Sequence, residues 1–422
     1  MLKDRYDYEL SSASHPARDA YVTACDLMLG GQAGITESFS RATSEDPGFA
    51  LAWVGLARAH QYAGNVTAMS AAVTEAQKHA DGLSPREASH LNCMGLLLSG
   101  KVPEAYPAIR VHVDRYPRDA VVAQTCSSVF GLIGFSGQPG REAETLAFNA
   151  AILPHYGDDW WALSQYAFAL CETGNLEKAD KVIDRSLALN PNNAHAAHVR
   201  SHVYYEMGET VLGLDYLRNF MSGYDPQGVM FCHLNWHKAL WALEQDDIDG
   251  MWERVDAAIA PEAGTTSPTI NVLTDTVAIL HRATMAGVDV APERWLSVSR
   301  YAQQTFPKLG TAFIDFHAAL AHAMAGQSDA LDRIIENPSG PVADLVPELA
   351  RGFRHIAAEE WEAAATSLMR VMADHARFGG SRAQRDLLEQ CLQTALLKQG
   401  KGEEARDIIA LRRPLLARQV AA

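Results

Sequence analysis

The chain has 422 residues, more than one ordinary hydrophobic core accommodates, so it is either several domains or an elongated array that grows without a central core. Its 51 acidic residues outnumber its 36 basic ones, a formal charge of −15, and no Lys/Arg-rich run is present to neutralise phosphates, so nucleic acid is not an expected partner. Six scattered cysteines with no Cys-x-x-Cys pair argue against a zinc knuckle or disulfide framework, and no apolar run approaches the roughly 18 residues of a membrane span; with a polar, charged stretch at Met1 to Pro16 in place of a signal peptide, the expected location is a reducing cytoplasm, with no membrane partner.

The first recognisable unit runs from Gly34-Ile35 through Asp46-Pro47-Gly48-Phe49-Ala50-Leu51-Ala52-Trp53 to Tyr62-Ala63-Gly64-Asn65. Proline disfavours helical geometry in the residue before it, so Asp46-Pro47 closes one helix, and the small residues at helical spacing that follow open the next. The same grammar returns at Ala105 to Ala123, where a helix ends at Tyr116-Pro117-Arg118-Asp119, and at Trp161 to Asn190, whose two helices part at Thr173-Gly174-Asn175. Helix-ending glycines at Gly64, Gly100, Gly174, Gly208, Gly287, Gly326 and Gly400 recur at one or two times a period of roughly 34 to 40 residues, the spacing of stacked helix pairs. Each pair has an apolar face that it cannot bury alone. The predicted fold class is therefore all-α, a tetratricopeptide-type α-solenoid: a strongly curved, right-handed superhelix forming a single domain over residues 1–422.

Three long connections interrupt the array: Gly131 to Arg141, Gly223 to Gly228, and Pro261 to Pro268. The last reads as a solvent-exposed connector, with a hinge or a loop folded over a groove as the alternative. Helices are expected at Asn271 to Met285, Pro292 to Thr305, Thr311 to Ala325, Ala343 to Ala357 and Ser381 to Gln399, with a terminal helix, Glu403 to Arg418, as a cap.

Chemistry concentrates between Pro191 and Leu243. Residues four apart stack on one helix face, so His198, His202 and Glu206 form one polar stripe and His233 and His237 another, and adjacent helices would aim both at a shared space. Asp275, Asp315 and His317 interrupt otherwise apolar helices, and Gly379-Gly380-Ser381 precedes Gln384, Arg385 and Asp386 in a first helical turn. Buried charge is costly unless paired or used, so these positions need a common explanation.

Three readings are open. In one, His198, His202, His233 and His237, with Glu206 or Asp315, hold a divalent transition metal. In another, Asp315 or Asp275 orients His317, His198 or His237 for acid–base chemistry, while Arg385, with Gln384, Asp386 and Trp236, anchors a small polar substrate. In the third, these residues satisfy one another across helix interfaces and Trp236 is packing. His60, His90, His112, His155, His281, His322, His355 and His375 are assigned to turns and helix surfaces, and no serine has the glycine elbow of a hydrolase nucleophile. The expected function is binding or transformation of a small polar molecule, with catalysis left open. The alternative is an interaction scaffold that holds a peptide or partner in its concave groove, and a homodimer is left open.

The paired-histidine segments, Phe313-Ile314-Asp315-Phe316-His317 and Gly379-Gly380-Ser381-Arg382-Ala383-Gln384-Arg385-Asp386 occur in an order that resembles tetratricopeptide repeat protein 38-like proteins over nearly the whole chain. The resemblance implies an α-helical repeat protein in which His198, His202, Glu206, His233, His237, Asp275, Asp315, His317, Gln384, Arg385 and Asp386 fall on the family's polar positions. The chain departs from that pattern at Ser127-Ser128, where the family tends to show His-Asp, and at Ile314, where it shows Asn.

Overall fold

The computed structural model describes residues 2–412. Among them lie twenty-two α-helices and no strand beyond a single antiparallel bridge between Lys3 and Glu9. Successive helices pair across short turns, giving the TPR-like helical repeat expected. The terminal helix runs Gly402–Arg412, and residues 413–418 of its expected extent lie outside the described residues. No described helix is long and apolar enough to cross a membrane.

Within a pair the two helices have different sequences because they meet different surroundings. Trp160–Glu172 buries ten of its thirteen residues, small ones among them, so neighbours pack on nearly all sides. Its partner Leu176–Leu189 buries only Ala179, Ile183 and Ser186 and leaves a charged face in solvent. Close approach demands small residues on the inner helices: a Cβ on Gly55 would lie 2.1 Å from Phe39. All seven predicted helix-ending glycines have positive φ, between 65° and 84°, a conformation that costs an L side chain about 1–2 kcal/mol. In two other pairs Asp246 and Glu359 take the same turn at φ 59° and 58°, which explains why no glycine marked those pairs in the sequence.

The array does not stay open. The turn at Gly30-Gly31 touches the helix Ala194–Met207: Ala194 N donates to Gly30 O at 2.8 Å, and the Tyr224 hydroxyl donates to Gly31 O. The connection at residues 131–140, expected only to link helices, reaches across to the C-terminal repeats. Arg141, 1% exposed, donates to Gly134 O at 3.3 Å, Ala376 O at 2.5 Å and Gly380 O at 2.6 Å. Arg377 returns the contact by donating from Nε to Gly137 O at 2.8 Å. Gly137 sits so tightly against Pro341 that a Cβ would come within 2.6 Å. Phe130 and Phe135 stack on each other and pack on Phe313. The 261–268 connector is tied as well, since buried Ser267 accepts from Cys232 N at 3.0 Å.

Removing the Arg141 guanidinium leaves Gly134 O without its donor and takes one donor each from Ala376 O and Gly380 O, which keep Gly379 N and Arg385, so Arg141→Met is expected to cost about 2 kcal/mol in urea unfolding. Arg300→Met, on an exposed face, should change it by less than about 0.5 kcal/mol. Equal losses in the two variants would show that the crossing contact carries no stability.

Candidate functional site

The helices Ala194–Met207 and Phe231–Glu244 are the buried members of successive pairs. Asn193 fixes the start of the first by accepting from Ala196 N at 3.1 Å, which sets the rotation that turns His198 and His202 inward. His233 and His237 face them from the second. Five of the six ring pairs have centroid separations from 4.4 to 5.4 Å, and one nitrogen from each ring lies within 4.8 Å of the others. The closest pair is His198 Nε2 and His202 Nε2, 2.8 Å apart. All four residues are buried, His198 the least so at 8% exposed.

Two of the imidazoles are backed by buried carboxylates. His233 Nδ1 lies 2.7 Å from Asp275 Oδ2, which holds the ring proton on Nδ1 and leaves the Nε2 lone pair free. His202 Nδ1 stands 4.0 Å from Glu172 Oε1, an adjacent carboxyl beyond hydrogen-bond reach. Burial raises the Glu172 carboxyl to about 7. Neither ring nitrogen of His237 has a hydrogen-bond partner among the described residues. Burial first, and the neighbouring imidazoles second, push His198, His202 and His237 well below the usual histidine range, so these rings are neutral near pH 7. Trp236 stacks on His233 at 5.1 Å and closes the site from behind.

On the side of His198 and His233 the cluster borders a cavity of about 250 Å³. Phe130, Phe135 and Phe168 supply much of its apolar wall, Gln124, Gln165, Asn271 and Gln384 supply amides, and Arg58 and Tyr62 sit at a partly exposed edge. Of the expected substrate-binding residues only Gln384 lines it; its Oε1 accepts from Ser381 N at 3.0 Å in a capping box. Arg385 is turned away, donating to Gly380 O and to Glu142. Asp386 accepts from the Tyr205 hydroxyl at 2.9 Å, and Trp236 is packing behind the rings.

Further expectations need correction. Asp315 does not orient His317: it accepts from Gly310 N at 2.9 Å, while His317 Nδ1 bonds Phe313 O at 2.7 Å. The cause is rotational, since residues two apart on a helix point to different faces. Neither Asp315 nor Glu206 joins the imidazole cluster. His90, His112, His281 and His322, assigned to surfaces, are buried. His90 and His112 meet at Asp119, which also accepts from Arg86 at 2.8 Å. Burial would raise the Asp119 carboxyl, but His90, His112 and Arg86 hold it well below its usual range. Glu172 and Arg58 escaped notice because Cys171-Glu172-Thr173-Gly174 reads as an ordinary helix end and a single Arg in a helix as a surface residue.

No family model matches the chain. Among solved structures it is similar to a human IFIT1 dimer with PPP-AAAA, at 12% identity over 100% of this chain and 98% of that one, TM-score 0.45. Yeast Tom70 aligns at 12% identity over 96% and 88% of the two chains, TM-score 0.38. A tetratricopeptide repeat protein from Parabacteroides merdae aligns at 13% identity over 74% and 98%, TM-score 0.35.

Burial also lowers His281, His317 and His322, to about 4, 3 and 4. The unfolded chain takes up protons at these groups below about pH 6.5, whereas the native chain refuses them until about pH 4. Stability is therefore present above pH 6.5 and falls through that window, by about 1.4 kcal/mol per pH unit for each histidine. Urea unfolding of chelator-treated protein from pH 7.5 to 5 should show the slope, and His281→Leu should make it shallower by one such share. A flat profile would contradict it.

Proposed function

We propose that the four histidines hold one divalent transition metal ion and that the adjoining cavity brings a small polar molecule to it, the chain acting as one unit over residues 1–422. The observation that carries the reading is the convergence of four buried imidazoles, two backed by buried carboxylates, at a cavity wall. Tetrahedral coordination at about 2.05 Å places ligand nitrogens about 3.3 Å apart, which is bracketed by the 2.8 Å closest contact and the 4.8 Å outer limit seen here. Imidazole-only donors favour zinc, copper, iron or nickel over calcium or magnesium. A metal held by all four rings would polarise an oxygen of a molecule in the cavity by taking it as a fifth ligand; the protein's part is to fix His233 through Asp275 and to admit the ligand past His198 and His233. The likeness in motif order to tetratricopeptide repeat protein 38-like proteins supports treating these residues as one site, and six free cysteines are compatible with a reducing cytoplasm.

A second reading has the architecture in its favour. Helical repeats commonly serve as scaffolds that hold a peptide or protein partner. Contacts of residues 131–141 with the C-terminal repeats obstruct an open inner groove, so a partner would use outer helices such as Thr210–Met221, where Val211 and Leu212 are 63% and 55% exposed.

Untagged protein equilibrated with zinc should bind one equivalent per chain. His202→Ala and His237→Ala should each weaken binding at least about 100-fold and Asp275→Asn about 10- to 100-fold, with His281→Gln unchanged. Metal content and zinc calorimetry, with circular dichroism to verify folding, are the measurements. Wild type that binds zinc no better than a folded His202→Ala variant would sink the metal reading in favour of a scaffold.

A further inference from the structure

We propose that the cavity selects an anionic molecule with a flat apolar body, typified by an aromatic carboxylate, whose anionic end is held by Arg58. The inference deepens the small-molecule reading above and rests on it. The chain carries 51 acidic residues, yet among the described residues none lines this cavity, and Arg58 is the one permanently charged side chain in its wall. A neutral ligand would gain no charge–charge attraction from such a wall and a cation would be repelled by Arg58, whereas a carboxylate meets a cation with no competing anion beside it.

The contacts of Arg58 leave it available. Its Nη1 donates to the neutral Gln61 Oε1, its Cζ lies over the Tyr62 ring 4.6 Å from the centroid, and its Nε is buried without a hydrogen-bond partner. The Tyr62 ring restrains the guanidinium without neutralising it, and a planar fork held in place is suited to donating two parallel bonds to a carboxylate. Tyr62 is positioned in turn by donating to Gln124 Oε1 at 3.2 Å. A second donor belongs to a residue of the same wall. Gln384, 2% exposed, commits its oxygen to Ser381, and its Nε2 is buried without a partner. An unmatched buried donor costs free energy until an acceptor arrives, so it too favours an oxygen-rich ligand.

The remaining wall sets the body of the ligand. Phe130, Phe135 and Phe168 present aromatic surface, which a ring matches better than a sugar or an extended polar chain. A volume of about 250 Å³ equals that of about eight water molecules at roughly 30 Å³ each, enough for one ring and a short acid side chain.

Zinc-loaded protein is titrated calorimetrically with benzoate, phenylacetate and 3-phenylpropionate and with their three primary amides. At least one acid should bind about tenfold or more tightly than its own amide, equivalent to about 1.4 kcal/mol. Arg58→Met should bring that acid to the level of its amide without altering the zinc stoichiometry. In wild type, added salt should weaken the acid and leave the amide unchanged, a comparison that needs no variant. Amides binding as well as the acids, or none of the six compounds binding, overturns the proposal. Zinc measured on the same samples separates the two ideas: absence of zinc from wild type removes the metal reading while the acid-to-amide ratio stands, and bound zinc with no acid preference removes only the selectivity.

Discussion

One buried guanidinium holds the two halves of the array in register. Arg141 lies beside Glu142, 3.6 Å away, but its donors go to backbone carbonyls of Gly134, Ala376 and Gly380. Carbonyls cannot rotate to follow a side chain, so both segments must be in place for the cation to be solvated. Everything around the cavity depends on that arrangement. Phe130 and Phe135 come from the segment on one side of Arg141, and Ser381 and Gln384 from the segment on the other. Gly380 lies so close to Phe313 that an added Cβ would be 2.3 Å from the ring, which leaves the junction little room to shift.

The two histidine clusters use the same residue type to opposite ends. At Asp119 the rings of His90 and His112 surround a carboxylate that Arg86 also reaches, so donors and acceptors are matched within the protein. At His198, His202, His233 and His237 the carboxylates stand outside the ring cluster, behind His233 and His202, and the ring nitrogens face one another. Carboxylate in the middle makes a structural joint; carboxylates at the back make a set of electron-pair donors.

The repeat architecture was legible because it is written locally. Glycine past a helix, proline ahead of the next and small residues at helical spacing each act within a few positions, and Pro292–Thr305 was read to the residue. The paired histidines were legible for the same reason, since a spacing of four is a statement about one helix face. What the sequence hid is which distant segments meet. Asp315 and His317 looked like partners by proximity, yet the backbone turns them apart, and Asp275, read as orienting His317, His198 or His237, meets His233, 42 positions away. Glu172, Arg58 and Arg141 are ordinary helix residues until the superhelix brings other repeats to them. The burial of His90 and His112 likewise follows from the tertiary position of Asp119, not from their own neighbours in sequence.

Helical-repeat proteins ordinarily tolerate a change in the number of their units, because each unit touches only the next. The lock of Gly137 against Pro341 and of Arg141 against residues 376–380 removes that freedom. Duplicating or deleting one helix pair between the 131–141 segment and residue 376 would advance the spiral by a step and carry the two sides of the lock past each other. Such an array has a fixed count, like the strands of a closed barrel. Its evolution is confined to substitutions inside the ring and to additions at the ends.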